Sequence, residues 1–172
     1  DLESIDHPTG TTYGRQGALA QLRSLLRSQA PIYRLEPLAS LGDSLALCRS
    51  SVSASGFSGR SFDVGPYESE LFLLIEADAQ EQRRRSEFFA SDHLADAIAR
   101  MCERYAELLP DGPERARAEG SARVAAAWLG PLDPDGCAAA LKADIEVVDH
   151  RILGTSSVWG ADAHVRNLRS WL

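Results

Sequence analysis

The 172-residue chain carries one pattern twice. Near its start it reads Ile5-Asp6-His7, then Tyr13-Gly14, then a helix-like run ending Leu22-Arg23-Ser24-Leu25-Leu26. At its end it reads Val148-Asp149-His150, then Trp159-Gly160, then a run ending Leu168-Arg169-Ser170-Trp171-Leu172. The order is the same in both: short strand, Asp-His, loop, aromatic-Gly, amphipathic helix. Only the loop differs, being about three residues longer in the second copy. The two aromatic-Gly pairs stand 146 residues apart, well outside the roughly 20–50-residue periods of solenoids and propellers. The repeat therefore predicts two copies of one domain, with the chain beginning inside the first and stopping inside the second.

Composition narrows the function classes. A formal net charge of −7 speaks against a nucleic-acid groove, which needs a basic stripe. Arg83-Arg84-Arg85, followed by Ser86-Glu87-Phe88-Phe89, reads as the solvated start of a strand rather than a phosphate clamp. No apolar run approaches the roughly 18 residues that span a bilayer, and no charged-apolar-small leader opens the chain. Neither a nucleic acid nor a membrane is expected as a partner. Cys48, Cys102 and Cys137 are far apart, odd in number and without Cys-x-x-Cys spacing, so no disulfide framework or zinc cage is indicated. They read as small buried hydrophobes, and a reducing cytoplasm is the expected location.

Periodicity supplies the elements. Residues 3–7 read as a short strand, and Ala18, Leu19, Leu22, Leu25 and Leu26 recur at helical spacing between Arg15 and Ser28. Ile32 to Leu41 and Ser44 to Ser53 read as strands about a Gly42-Asp43 turn. Tyr67 to Ala77 is the strongest strand, and another ends at Phe88-Phe89. Ser91 or Asp92 can cap a helix carrying Leu94, Ile98, Met101, Tyr105 and Leu108. Pro110-Asp111-Gly112-Pro113 is the clearest linker. Beyond it come a helix with Val124 and Trp128, a short helix at Cys137 to Leu141, a strand at Ile145 to Arg151 and a helix from Ala161. The expected domains are 1–109 and 114–172, joined by 110–113. Grouped strands with flanking helices predict an α+β fold with a curved antiparallel sheet wrapped by helices.

The ordered set resembles the SnoaL-like branch of the nuclear transport factor two superfamily, the cone-shaped fold of ketosteroid isomerase. Residues 114–172 are similar to its opening half, including Ala143-Asp144-Ile145-Glu146-Val147-Val148-Asp149-His150-Arg151. Residues 30–90 are similar to its sheet half, notably Leu45-Ala46-Leu47-Cys48-Arg49 and Leu71-Phe72-Leu73-Leu74-Ile75. More narrowly, Phe88-Phe89-Ala90-Ser91-Asp92-His93-Leu94 and the helix after it resemble the tandem SnoaL-like modules of large actinobacterial regulators. The first copy lacks its opening helices and the second lacks its sheet. The resemblance thus implies a fragment spanning parts of two copies, completed by circular permutation within one chain or by exchange in a homodimer.

Chemistry centres on the two Asp-His pairs. A histidine at the mouth of a cone pocket can shuttle protons at neutral pH. Adjacent strand residues point to opposite faces, so Asp6 does not orient the His7 ring, nor Asp149 the His150 ring. Each carboxylate instead satisfies loop donors or acts in catalysis. The resemblance implies an acidic proton-transfer base in an apolar pocket, and Glu70, opening the apolar run of its strand, is the candidate. Tyr33, Leu47, Phe72, Leu74, Phe88 and Trp159 are the candidate ligand-binding residues. No His-x-His or His-Glu-x-x-His pattern indicates a metal, and no Gly-Lys-Ser/Thr loop a nucleotide; no cofactor is expected. The leading expectation is a module of a larger regulator that binds a small apolar molecule or dimerises. The alternative is a general acid–base enzyme, such as an isomerase, cyclase or hydrolase.

Overall fold

The computed structural model describes residues 2–58, 63–131, 133–150 and 157–170. Two compact units divide the chain, Asp1–Met101 and Cys102–Leu172. The first is built on an open, curved, mostly antiparallel sheet. Its strands are β1 (Glu3–Asp6), β2 (Thr11–Gly14), β3 (Ile32–Leu41), β4 (Leu45–Ala54), β7 (Tyr67–Ala77) and β8 (Arg83–Ala90), in the order β2-β1-β8-β7-β4-β3. A small hairpin of β5 (Phe57–Ser58) and β6 (Asp63–Val64) lies between β4 and β7 in sequence. All ladders of the large sheet are antiparallel except β1–β8, which is parallel. The β3–β4 turn needs the left-handed backbone at Gly42, φ 61°, which costs glycine nothing.

Helix α1 (Arg15–Leu26) follows β2 directly, with Gly14 as its N-cap and no side-chain cap. Helix α2 (Leu94–Leu108) begins after β8 and runs across the boundary between the units. The apolar core of the first unit includes Leu45, Leu47, Phe72, Leu74 and Phe89. Strand β2, where the sequence shows only a polar loop, forms because β1 offers it an antiparallel edge, Ser4 opposite Tyr13.

In the second unit, α3 (Pro113–Leu129) buries Ala118 and Ala122, and α4 (Pro134–Ala139) buries Cys137. Asp133 caps α4 by accepting the Asp135 N–H at 3.0 Å. The short strands β9 (Glu146–Val147) and β10 (Val158–Trp159) pair antiparallel, and α5 (Ala161–Arg169) follows, burying His164, Val165 and Leu168. Strand β9 is shorter than the Ile145–Arg151 expectation, of which Arg151 lies outside the described residues. The His164 ring is tilted against Trp128 at 5.3 Å and does not face water. Among the described residues no helix is long and apolar enough to cross a membrane.

Candidate functional site

Strand alternation gives the large sheet two chemically different faces. On one, Ser4, Ser50, Leu71, Leu73, Ser86 and Phe88 floor a cavity of about 430 Å3. Helix α1 roofs it with Ala18, Gln21, Leu22, Ser24 and Leu25, yet no residue of α1 is itself buried. The roof is thus apolar but loosely seated.

Tyr13 stands beside the roof. Its hydroxyl donates to Gln21 Oε1 at 2.8 Å, and its ring stacks on Phe88 with centroids 6.5 Å apart. Burial raises the phenol pKa, the Gln21 bond opposes this and the Asp6 charge adds to it; the group remains a protonated donor at neutral pH. Gly17 admits the ring, since a Cβ there would fall 2.9 Å from Tyr13 Cβ. Ser4 and Ser86 are registered partners on the parallel β1–β8 pair. They are only 2% and 1% exposed, and Ser86 Oγ has no hydrogen-bond partner among the described residues. Leaving a buried hydroxyl unsatisfied costs about 1–3 kcal/mol. Asp6 and Arg83 supply the charges of the lining. Asp6 Oδ1 accepts the Thr9 N–H at 3.0 Å and so braces its own loop. Cys48, buried on this face, has its thiol pKa pushed up by burial, with Arg83 opposing.

The other face is built around Glu87. It accepts from Arg85 Nε at 2.8 Å, pairs with His7 Nε2 at 2.9 Å and accepts from Arg100 Nε of α2 at 3.2 Å. Arg85 also pairs with Glu3.

The sequence candidates divide between these places. Tyr33, Phe88 and Asp6 line the cavity. Leu47, Phe72 and Leu74 do not; they are out of phase with Leu71 and Leu73 and lie in the core of the opposite face. Glu70 shares that opposite phase, half exposed and 3.7 Å from Arg49 Nε. His7 turns away from Asp6, as alternation requires, and stacks on Phe89 at 4.4 Å. Asp149, His150 and Trp159 belong to the second unit. There the Asp149 N–H donates to Ser157 Oγ at 3.2 Å, and His150 and Trp159 are exposed. Both Asp-His segments lead into a β-hairpin and a helix, but the pairing differs: Tyr13 faces Ser4, two residues before Asp6, whereas Trp159 faces Glu146, three before Asp149. Sequence reasoning missed Ser4, Ser86, Arg83 and Glu87. For Ser4, Ser86 and Glu87 the signal was period-two phasing, with Ser86 in step with Phe88 and Arg85 in step with Glu87. Arg83, in step with Arg85, reaches the cavity side only through the register shift at the end of the β7–β8 ladder, which no sequence pattern marks.

Compared with protein-family models and with curated proteins, the chain matches none. It is similar to the crystal structure of a candidate SnoaL-like polyketide cyclase from Jannaschia sp. CCS1, at 17% identity and a TM-score of 0.40, covering 63% of this chain and 72% of that one. It is also similar to AclR, a candidate hydroxylase from Streptomyces galilaeus, at 14% identity and a TM-score of 0.40, covering 74% of this chain and 76% of that one.

Proposed function

We propose that the first unit is a small-molecule-binding module whose ligand is compact and mostly apolar and lies under α1. The observation that carries this reading is a cavity of about 430 Å3 with a buried hydroxyl, Ser86, facing it unpartnered. Ligand sites typically occupy about 300–1,000 Å3, with apolar walls and a few placed polar groups. The sequence resemblance to SnoaL-like modules of larger regulators supports a binding role over turnover. Four large apolar side chains of β3, 38–50% exposed, support a further part of the reading, the association of two copies.

Titration calorimetry with naphthalene-2-methanol tests the cavity. Binding is expected in the micromolar to millimolar range. Leu25→Trp should abolish it by filling the space from the roof, and a helix without buried residues tolerates that bulk. If the wild type does not bind, or the variant binds equally well, the reading fails.

A second reading rests on Asp6, the cavity's one carboxylate among the described lining residues. In an acid–base enzyme acting on the same ligand, Asp6 would take the proton and Tyr13 would offer a hydrogen bond to the developing oxyanion. Turnover abolished by Asp6→Asn with ligand affinity retained would favour it over simple binding.

A further inference from the structure

The two charges of the cavity lining stand well apart. Asp6 is registered with Phe88, whereas Arg83 pairs with Ala77 at the bulged end of the β7–β8 ladder. Phe88 and Arg83 are five residue steps apart along β8, about 16 Å at roughly 3.3 Å per residue. Arg83 also borders an adjoining depression, with Leu2, Arg15, Asp78 and Arg84. The acid there is engaged: Asp78 Oδ1 accepts the backbone N–H groups of Gln80 and Gln82, each at 2.9 Å. Arg84 lies 3.8 Å from Glu76. Arg83 and Arg15 have no ion pair among the described residues. The Arg83 charge is felt at Cys48, buried beneath that face of the sheet, where it opposes the upward shift of the thiol. Ser86, with its unpartnered hydroxyl, lies between Arg83 and Phe88 on the same strand.

Building on the binding reading above, we propose that the ligand is an apolar monocarboxylic acid. Its carboxylate is held by the Arg83 guanidinium and the Ser86 hydroxyl, and its hydrocarbon body lies over Leu73, Phe88 and Leu71. A guanidinium fork matches a carboxylate in geometry as well as charge. Asp6 repels the same group at the other end and so fixes the direction in which the acid enters. One guanidinium with one hydroxyl, beside apolar walls, suits a single negative charge better than a phosphate dianion.

Naphthalene-2-carboxylate and naphthalene-2-methanol share a ring and differ in charge. Titrated into the full chain at pH 7 and low salt, the carboxylate is expected to bind about tenfold more tightly, the scale of a charge-assisted hydrogen bond at a partly wet site. Arg83→Gln should remove that advantage, bringing the two probes to equal affinity. Arg83→Lys, which keeps the charge and loses the fork, should fall between. Arg83 is exposed, so an unchanged melting temperature is expected in both variants. Equal binding of the two probes, or a carboxylate preference that survives Arg83→Gln, overturns this assignment while the cavity reading stands. Failure of both probes to bind removes the cavity reading and this proposal with it.

Discussion

Taking a carboxylate out of water costs several kcal/mol unless fixed partners replace its hydration, and Glu87 is only 1% exposed in the middle of β8. Burial pushes its pKa up. Hydrogen bonds from Arg85 and His7, with the charge and hydrogen bond of Arg100, pull harder the other way, so the carboxyl titrates below the usual value of 4.5. A depressed folded pKa means the stabilisation is complete above the ordinary carboxylate value and is lost as pH falls through the lower folded one. Denaturant unfolding followed from pH 7 to pH 3 should therefore show an acid limb that Glu87→Gln flattens. At pH 7 the same variant should lose about 3 kcal/mol, the low end for breaking a buried pair, because Arg85 and Arg100 keep some contact with water. Acid limbs of equal depth in both proteins would remove Glu87 as their source. Ser86 and Glu87 are neighbours in sequence with opposite duties, one facing an open cavity and the other sealed in an ion cluster. Nothing in their residue types announces this; the phase of the strand decides it.

Among the elements, α1 couples the fold to the site. Its Gly17 would gain roughly 0.5–1 kcal/mol of helix stability on becoming Ala. The new Cβ, however, would stand 2.9 Å from Tyr13 Cβ, a position that cannot swing away as the tip of a side chain can. Overpacking of this kind costs about 1–3 kcal/mol. Gly17→Ala is thus expected to destabilise by about 1 kcal/mol in urea unfolding and to weaken naphthalene-2-methanol binding as Tyr13 moves off Phe88. A more stable variant with unchanged affinity would show that the Tyr13 seat yields freely. The elements also show what sequence can carry. Helix α1, β3 and β7 begin where their patterns begin, at Arg15, Ile32 and Tyr67, because spacing of apolar residues and a Gly42-Asp43 turn are local signals. Strand β2 was illegible, since Thr11–Gly14 has no apolar alternation and owes its state to the edge of β1. The cavity was only partly legible for a related reason. Leu71 through Ile75 is apolar at every position, so the run declares a strand covered on both faces without saying which residues face the space under α1. Tyr33 and Phe88 fell on the right face, while Phe72, Leu74 and Leu47 fell on the other.

At the scale of the molecule, β3 is the conspicuous open surface. From Ile32 to Ser40 every residue is exposed, and a long apolar edge is a template for pairing with another chain. Large exposed apolar patches mark association sites in the same way. The strand is also self-complementary. If two copies pair antiparallel about a two-fold axis at Leu35, Arg34 of each faces Glu36 of the other, Ile32 faces Leu38 and Tyr33 faces Pro37. Arg34 has no ion pair among the described residues; Glu36 accepts from Arg49 at 3.3 Å and remains open to solvent. A closed two-fold interface repeats each such contact, so the two Arg34–Glu36 pairs would fix register while the apolar residues supply area. Pro37, which has no N–H to give, limits the backbone ladder at this edge and leaves register to the side chains. The chain is therefore expected to be a dimer at micromolar concentration by light scattering. Arg34→Glu, which sets like charges opposite one another twice, should produce a folded monomer, and the double exchange Arg34→Glu with Glu36→Arg should restore the dimer. A wild-type monomer would defeat the association, and a dimer indifferent to Arg34→Glu would exclude β3 as its seam.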